Sequence, residues 1–145
     1  VLTAWGFPGQ KQVVLDLSSY DLIIDGKDRK NNGKGVRAIT HAAFKVALML
    51  FCRQRDLPHP GFLVLDTPLL TYRDPMKKPD DRLTDDEQEL RNTDLKQRFF
   101  NHLGHLGEKA QVVIFENVDP PDGIEDYCKV EAFTNDPEEG RQGLL

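Results

Sequence analysis

The run Gly61-Phe-Leu-Val-Leu-Asp66-Thr67-Pro68 constrains the fold more than any other stretch of this chain. Four apolar residues, Phe62 to Leu65, end abruptly in a carboxylate, and Pro68 stops further ladder pairing. Such a pattern predicts a buried strand over 62–65 that delivers one acid to the rim of a sheet. Downstream, Thr84 and Glu87 form a capping box ahead of an apolar stripe (Leu90, Leu95, Phe99, Leu103, Leu106), predicting a helix over 85–106 closed by Gly107. Gln111 to Phe115 then reads as a second buried strand, ending in Glu116-Asn117. Strand–helix–strand units of this kind are right-handed crossovers with parallel strands, and ligands bind outside the strands' carboxyl ends. Asp66-Thr67 and Glu116-Asn117 therefore converge on one expected site.

Upstream, residues 11–17 and 20–25 read as two short strands joined at Ser18-Ser19. A polar, glycine-punctuated loop spans 26–35. A helix follows from Val36 to about Arg55, with apolar residues on nearly every face, so it is expected to be largely buried. Residues 67–83, with Pro75 and Pro79, read as an irregular functional loop. Ile124 to Tyr127 suggests a helical turn, 129–133 a last strand, and 136–145 an extended polar tail. The expected fold is α/β: one domain over 1–145, with a mostly parallel sheet and flanking helices.

Charge and composition exclude some functions. The chain carries 39% hydrophobic and 30% charged residues with a net charge of −5, which argues against autonomous nucleic-acid binding. Basic residues dominate only at Lys27, Arg29, Lys30, Lys34 and Arg37. No apolar run reads as a membrane span and no export leader is visible; together with Cys52 and Cys128 read as reduced core thiols, this predicts a cytoplasmic protein. The start at Val1 rather than Met suggests trimming or a piece of something longer.

The loop Asn31-Asn32-Gly33-Lys34-Gly35-Val36-Arg37 opens directly onto the buried helix, where free N–H groups and the helix dipole favour an anion. A Walker A motif does not fit: Asp28 stands at the first glycine position and Gly35 replaces the Ser/Thr that would reach Mg²⁺. A turn with glycines for geometry alone is the plainer alternative. His102 and His105, spaced i,i+3 without a third ligand nearby, read as a surface or half-buried pair, and His59 as loop geometry. His41 reads as a hydrogen-bonded core histidine, with nucleotide contact as the other option. The acidic run Asp80, Asp81, Asp85, Asp86, Glu87, Glu89 reads as a solvated helix start. Trp5 and Phe7 either anchor a terminus or are the remnant of a removed segment.

Taken together, the glycine-loop helix, the strand ending in Asp-x-Pro, the capped helix and the polar strand end resemble the C-terminal half of an ABC-type ATPase. More closely, Gly33-Lys34-Gly35-Val36-Arg37-Ala38-Ile39-Thr40-His41-Ala42-Ala43-Phe44, Leu65-Asp66-Thr67-Pro68-Leu69-Leu70 and Glu116-Asn117-Val118-Asp119-Pro120-Pro121 resemble SMC-like (AAA-family, coiled-coil) ATPases of DNA repair and phage defence. The resemblance covers roughly residues 20–145. It implies that Asn32, Gly33, Lys34 and Gly35 form the signature-like loop contacting ATP held by a partner subunit. It also implies that Asp66 is the Walker B acid holding Mg²⁺ through water, with Thr67 beside it, and that Asn117 falls near the switch residue. Two departures stand out: Thr67 replaces the usual Glu base, and Asn117 the usual His. Glu116 is the substitute base the sequence offers. No P-loop is present, so the implied partners are an N-terminal P-loop lobe of the same protein, a second head in a homodimer and, through the complete protein, DNA, with no membrane. The alternative is a non-catalytic interaction module with a degenerate nucleotide site, its basic loop docking an acidic partner. A stand-alone Rossmann-like phosphate enzyme lacks the glycine-rich strand–helix turn.

Overall fold

A computed structural model describes residues 1–73, 83–107, 110–134, 138 and 140–143. Much of the expected loop over 67–83, including Pro75, Pro79, Asp80 and Asp81, lies outside the described residues, as does part of the 136–145 tail.

The chain opens with a tight N-terminal coil whose Trp5 is fully buried, followed by an antiparallel hairpin of β1 (Val13–Asp16) and β2 (Asp21–Ile24). Val13 faces Ile24 across it and Asp16 faces Asp21. The loop expected over 26–35 is partly regular: β3 (Lys27–Asp28) pairs antiparallel with β2, and a 3₁₀ turn spans Arg29–Asn31. Left-handed backbone at Asp25 and Gly26 makes the two-residue turn that permits this third strand.

Helix α1 (Lys34–Gln54) carries the core. Val36, Ile39, Ala43, Val46 and Met49 recur at helical spacing and are all buried. Burial of each large member contributes about 1.5–3 kcal/mol. The expectation of apolar packing on every side is corrected, because Phe44, Leu48 and Phe51 are exposed along one face. A second correction concerns membranes. By length and composition this helix could cross one, although half of its apolar window is buried within the fold.

Strand β4 (Phe62–Asp66) pairs in parallel with β5 (Gln111–Phe115), from Phe62 opposite Gln111 to Asp66 opposite Phe115. Leu63, Leu65, Val112 and Ile114 turn inward against the core. Phe62, Val64, Val113 and Phe115 line the outer face and remain 37–49% exposed. The crossover is two helices, α2 (Asp85–Arg91) and α3 (Leu95–Gly104), rather than one over 85–106. Asn92-Thr93-Asp94 breaks it: Thr93 Oγ1 donates to the Leu90 carbonyl at 2.7 Å, and Asp94 stands at the N-terminal boundary of the restart with its carboxylate on Arg98 Nε rather than on the helix N–H groups. The five-residue step from Leu90 to Leu95 is the trace of that break in the apolar stripe.

Instead of one mostly parallel sheet, the described residues form three small ones. These are the antiparallel β1–β2–β3 sheet, the parallel β4–β5 pair, and a parallel pair of β6 (Phe133–Thr134) and β7 (Arg141–Gln142). The strand expected over 129–133 is thus reduced to β6, and the helical turn to Ile124–Asp126. Trp5 anchors the N-terminal coil: it stacks edge-on against Phe99 at 4.8 Å, and its Nε1–H donates to His102 Nδ1 at 3.0 Å. His102 is therefore a structural acceptor. Only Cys52 is a core thiol; Cys128 is exposed, which corrects the reading of both as buried.

Candidate functional site

The N-terminal half of α1 and the C-terminal end of β4 bound an open cleft of about 460 Å³. Arg29, Lys30, Lys34, Arg37, His41 and Lys45 line one side, with Val64, Leu65, Asp66 and Pro68 opposite. Two of the cations are neutralised locally. Arg29 makes a two-pronged pair with Asp21 (2.6 and 3.1 Å), and Lys30 lies 3.3 Å from Asp28. The Arg29 guanidinium accordingly holds the Asp21 carboxyl below its usual range. Lys34, Arg37 and Lys45 have no carboxylate partner among the described residues. Burial, then the charges of Lys45 and Arg29, push the His41 imidazole below its ordinary pKa, favouring the neutral ring. His41 is exposed and lines the cleft, so it is not a core histidine.

Asp66 is exposed, lines the cleft and accepts a 2.9 Å hydrogen bond from Thr67 Oγ1. Thr67 itself has φ +49°, a left-handed conformation that costs a β-branched residue about 1–3 kcal/mol. Its N–H donates to the Phe115 carbonyl at 2.8 Å, which holds the turn against the end of β5. Glu116 reaches back in the opposite direction. Its Oε2 accepts the Leu69 N–H at 2.8 Å and its Oε1 the Asn117 N–H at 2.9 Å. The carboxylate ties the two strand ends together, and neither Glu116 nor Asn117 lines the cleft. The structure thus brings Lys34 and Asp66 into one cleft and sets Glu116 and Asn117 beside it.

The glycine loop holds an anion of the chain's own. Gly35 N–H donates to Glu87 Oε1 at 2.7 Å, and Gly33 N–H donates to Asp86 Oδ2 at 3.2 Å. Glu87 is buried at 8% exposure and also accepts the Thr84 N–H, completing the capping box of α2. The carboxylates that start α2 therefore also cap α1. Burial works against Asp86 ionisation, but the Thr84 hydroxyl, the Gly33 N–H and Lys27 at 3.5 Å outweigh it and lower its pKa. Gly33 permits this approach, since a Cβ there would run into the Glu87 carboxylate and the Thr84 hydroxyl. Asn32 turns inward, its amide donating to the Arg29 and Asp28 carbonyls at 3.3 and 3.5 Å.

Sequence reasoning missed Lys45 as a cleft residue, although its position four after His41 and eight after Arg37 marks the same helix face. It read Asp86 and Glu87 as solvated, and nothing local in the sequence pairs them with a loop fifty residues away. Among the described residues no group of three or more His, Cys, Asp or Glu side chains forms a metal cage. Asp66 suits Mg²⁺ only in the mode where one carboxylate is joined by substrate phosphates and water, and the neighbouring cations suit those phosphates. No family model matches the chain, and neither the curated proteins nor the solved structures contain a match to it.

Proposed function

We propose that this chain is the C-terminal lobe of an SMC-like ATPase head, which binds and hydrolyses ATP when heads dimerise, in DNA repair, DNA maintenance or phage defence. The observation that carries the reading is Asp66, which ends a parallel-paired strand and lines a cationic cleft beside a glycine-opened helix. Lys34 and Arg37 would supply positive charge to phosphate oxygens, and Asp66 would hold a hydrated Mg²⁺. That ion, when bound, would neutralise charge developing on the transferred phosphoryl group. Glu116, at the adjacent strand end, lies outside the cleft with both carboxylate oxygens held by backbone N–H groups, so orienting water would require it to release the Leu69 N–H.

The β4–β5 pair also supports an absent lobe. Parallel sheets are ordinarily covered on both faces, yet Phe62, Val64, Val113 and Phe115 leave one apolar face open. An N-terminal P-loop lobe would cover it and provide the phosphate cradle. On this reading the 145-residue chain binds ATP weakly and does not turn it over. Measured turnover by the chain alone, abolished in Asp66→Ala, would overturn the reading.

A non-catalytic interaction module is the second reading. It is favoured by Asp86 and Glu87, which occupy the very N–H groups a phosphate would need. Association with the P-loop lobe separates the two. Capture that requires ATP and is lost on Gly33 substitution supports the ATPase, whereas nucleotide-independent capture supports the module.

A further inference from the structure

The solvent face of α1 combines two features of which the ATPase reading uses only Lys34 and Arg37. Lys34, Arg37, His41 and Lys45 run along it at i, i+3, i+7 and i+11, a row about 16 Å long at 1.5 Å per residue. That is much longer than a triphosphate needs. Arg37 and His41 also begin a helical stripe that continues through Phe44, Leu48 and Phe51 at steps of three and four. Phe44 and Phe51 are 38% and 47% exposed, and the Arg55 guanidinium lies 5.2 Å from the Phe51 ring centroid. Lys34, Arg37 and Lys45, without carboxylate partners among the described residues, are followed by exposed aromatic rings, the arrangement that holds a nucleic-acid strand: charge tracks the phosphates and rings stack on the bases.

We propose that this face binds single-stranded nucleic acid, with Lys34, Arg37 and Lys45 on successive phosphates and Phe44 and Phe51 stacked against bases. An acidic peptide would meet the cations but give the aromatic rings no flat partner. A free nucleotide would span only part of the row. The net charge of −5 repels a polyanion elsewhere on the surface, so affinity resides in the row and falls steeply with salt. The inference shares Lys34 and Arg37 with the ATPase reading but rests on Lys45, Phe44 and Phe51, which that reading does not use, and it needs neither Asp66 nor bound nucleotide.

The test is fluorescence anisotropy of a labelled oligo(dT) of about 20 nucleotides with the 145-residue chain, from about 50 to about 200 mM salt. Three phosphate contacts predict a log–log salt slope of about −2, falling to about −0.7 in the Arg37→Gln/Lys45→Gln double variant. Phe44→Leu is expected to weaken binding about tenfold with the slope unchanged. These residues are largely on the surface, so circular dichroism is expected to show each variant folded. Absence of binding at the lowest salt overturns the proposal, as does a slope the double variant leaves intact. Complete competition by millimolar ATP also overturns it, because it would make the site one for a mononucleotide.

Discussion

Glu87 links the starts of two helices, and its removal provides a stringent test of how the glycine loop is held. One carboxylate accepts the Gly35 N–H at 2.7 Å, the Thr84 N–H at 3.0 Å and the Thr84 hydroxyl at 2.9 Å. In Glu87→Ala, Thr84 is exposed and its groups rehydrate, so those bonds are largely replaced by water. Gly35 is buried, and its orphaned amide costs about 1–3 kcal/mol. Loss of the anion from the α1 terminus adds about 0.5–1 kcal/mol, and loss of its reciprocal bond in the α2 box a similar amount. The expected total is about 3 kcal/mol, a large part of the 5–15 kcal/mol typical of a domain. Glu87→Gln keeps an acceptor for Gly35 but turns an amide donor toward the Thr84 N–H, and is expected to lose about half as much. Urea unfolding reads the difference: at an m-value of about 2 kcal/mol/M, the alanine midpoint falls by about 1.5 M. Native-state hydrogen exchange should show early loss of protection at Gly35. An alanine variant within about 0.5 kcal/mol of the parent would show that the carboxylate is not what holds the loop.

Other outcomes follow from the same geometry. Gly35→Ala gains about 1 kcal/mol of helix propensity, yet its Cβ would meet the Thr71 hydroxyl and lie 2.9 Å from the Thr71 backbone nitrogen. Overpacking against a buried backbone should win, with a net loss of about 2 kcal/mol by urea titration, whereas a stabilised variant would contradict the packing. His102 is held below its ordinary pKa by burial first, then by the N-terminal amine and His105, and it accepts from Trp5 as the neutral ring. The unfolded chain takes up that proton first, so stability is complete above about pH 6.5 and declines as pH falls toward the lowered folded value. His102→Gln, which keeps an acceptor but does not titrate, is expected to flatten that slope, and an unchanged profile would assign it to another group. Cys128 is exposed and Cys52 buried, so thiol labelling of the native chain should stop at one adduct by mass spectrometry. Burial and Glu125 raise the Cys128 pKa, so labelling at neutral pH should be slow and accelerate as pH rises.

Local patterns carried the elements well and their assembly poorly. The apolar run 62–65, the Thr84–Glu87 box and the helical spacing of Val36, Ile39, Ala43 and Val46 each express a short-range rule, and each element stands where that rule places it. The parallel pairing of 62–66 with 111–115 was also legible, because a capped helix between two apolar strands leaves one usual handedness. The hidden relations were those between residues distant in sequence. Asp86 reads as an ordinary helix-start acid until its partner Gly33 is known, and Glu116 as a free carboxylate until Leu69 is set against it. Exposure was hidden for the same reason: Phe44 and Phe51 are apolar, and only the packing partners of α1 decide which apolar face is covered.

The parallel register of β4 and β5 bears on the order of folding. Phe62 and Gln111 meet only after the whole intervening crossover has been gathered in, whereas β1 and β2 close across a few residues. Non-local pairing of this sort is slow, since loop closure must precede any contact that rewards it. Asp66, Thr67 and Glu116 all sit at the far end of that register, and the Glu116–Leu69 latch requires both strands. The acidic corner is therefore expected to mature last, after the hairpin and α1 have formed. Pulse-labelled exchange during refolding should find the Leu69 amide among the slowest to gain protection. A ribosome extending this chain would have to pass residue 116 before the corner could exist at all.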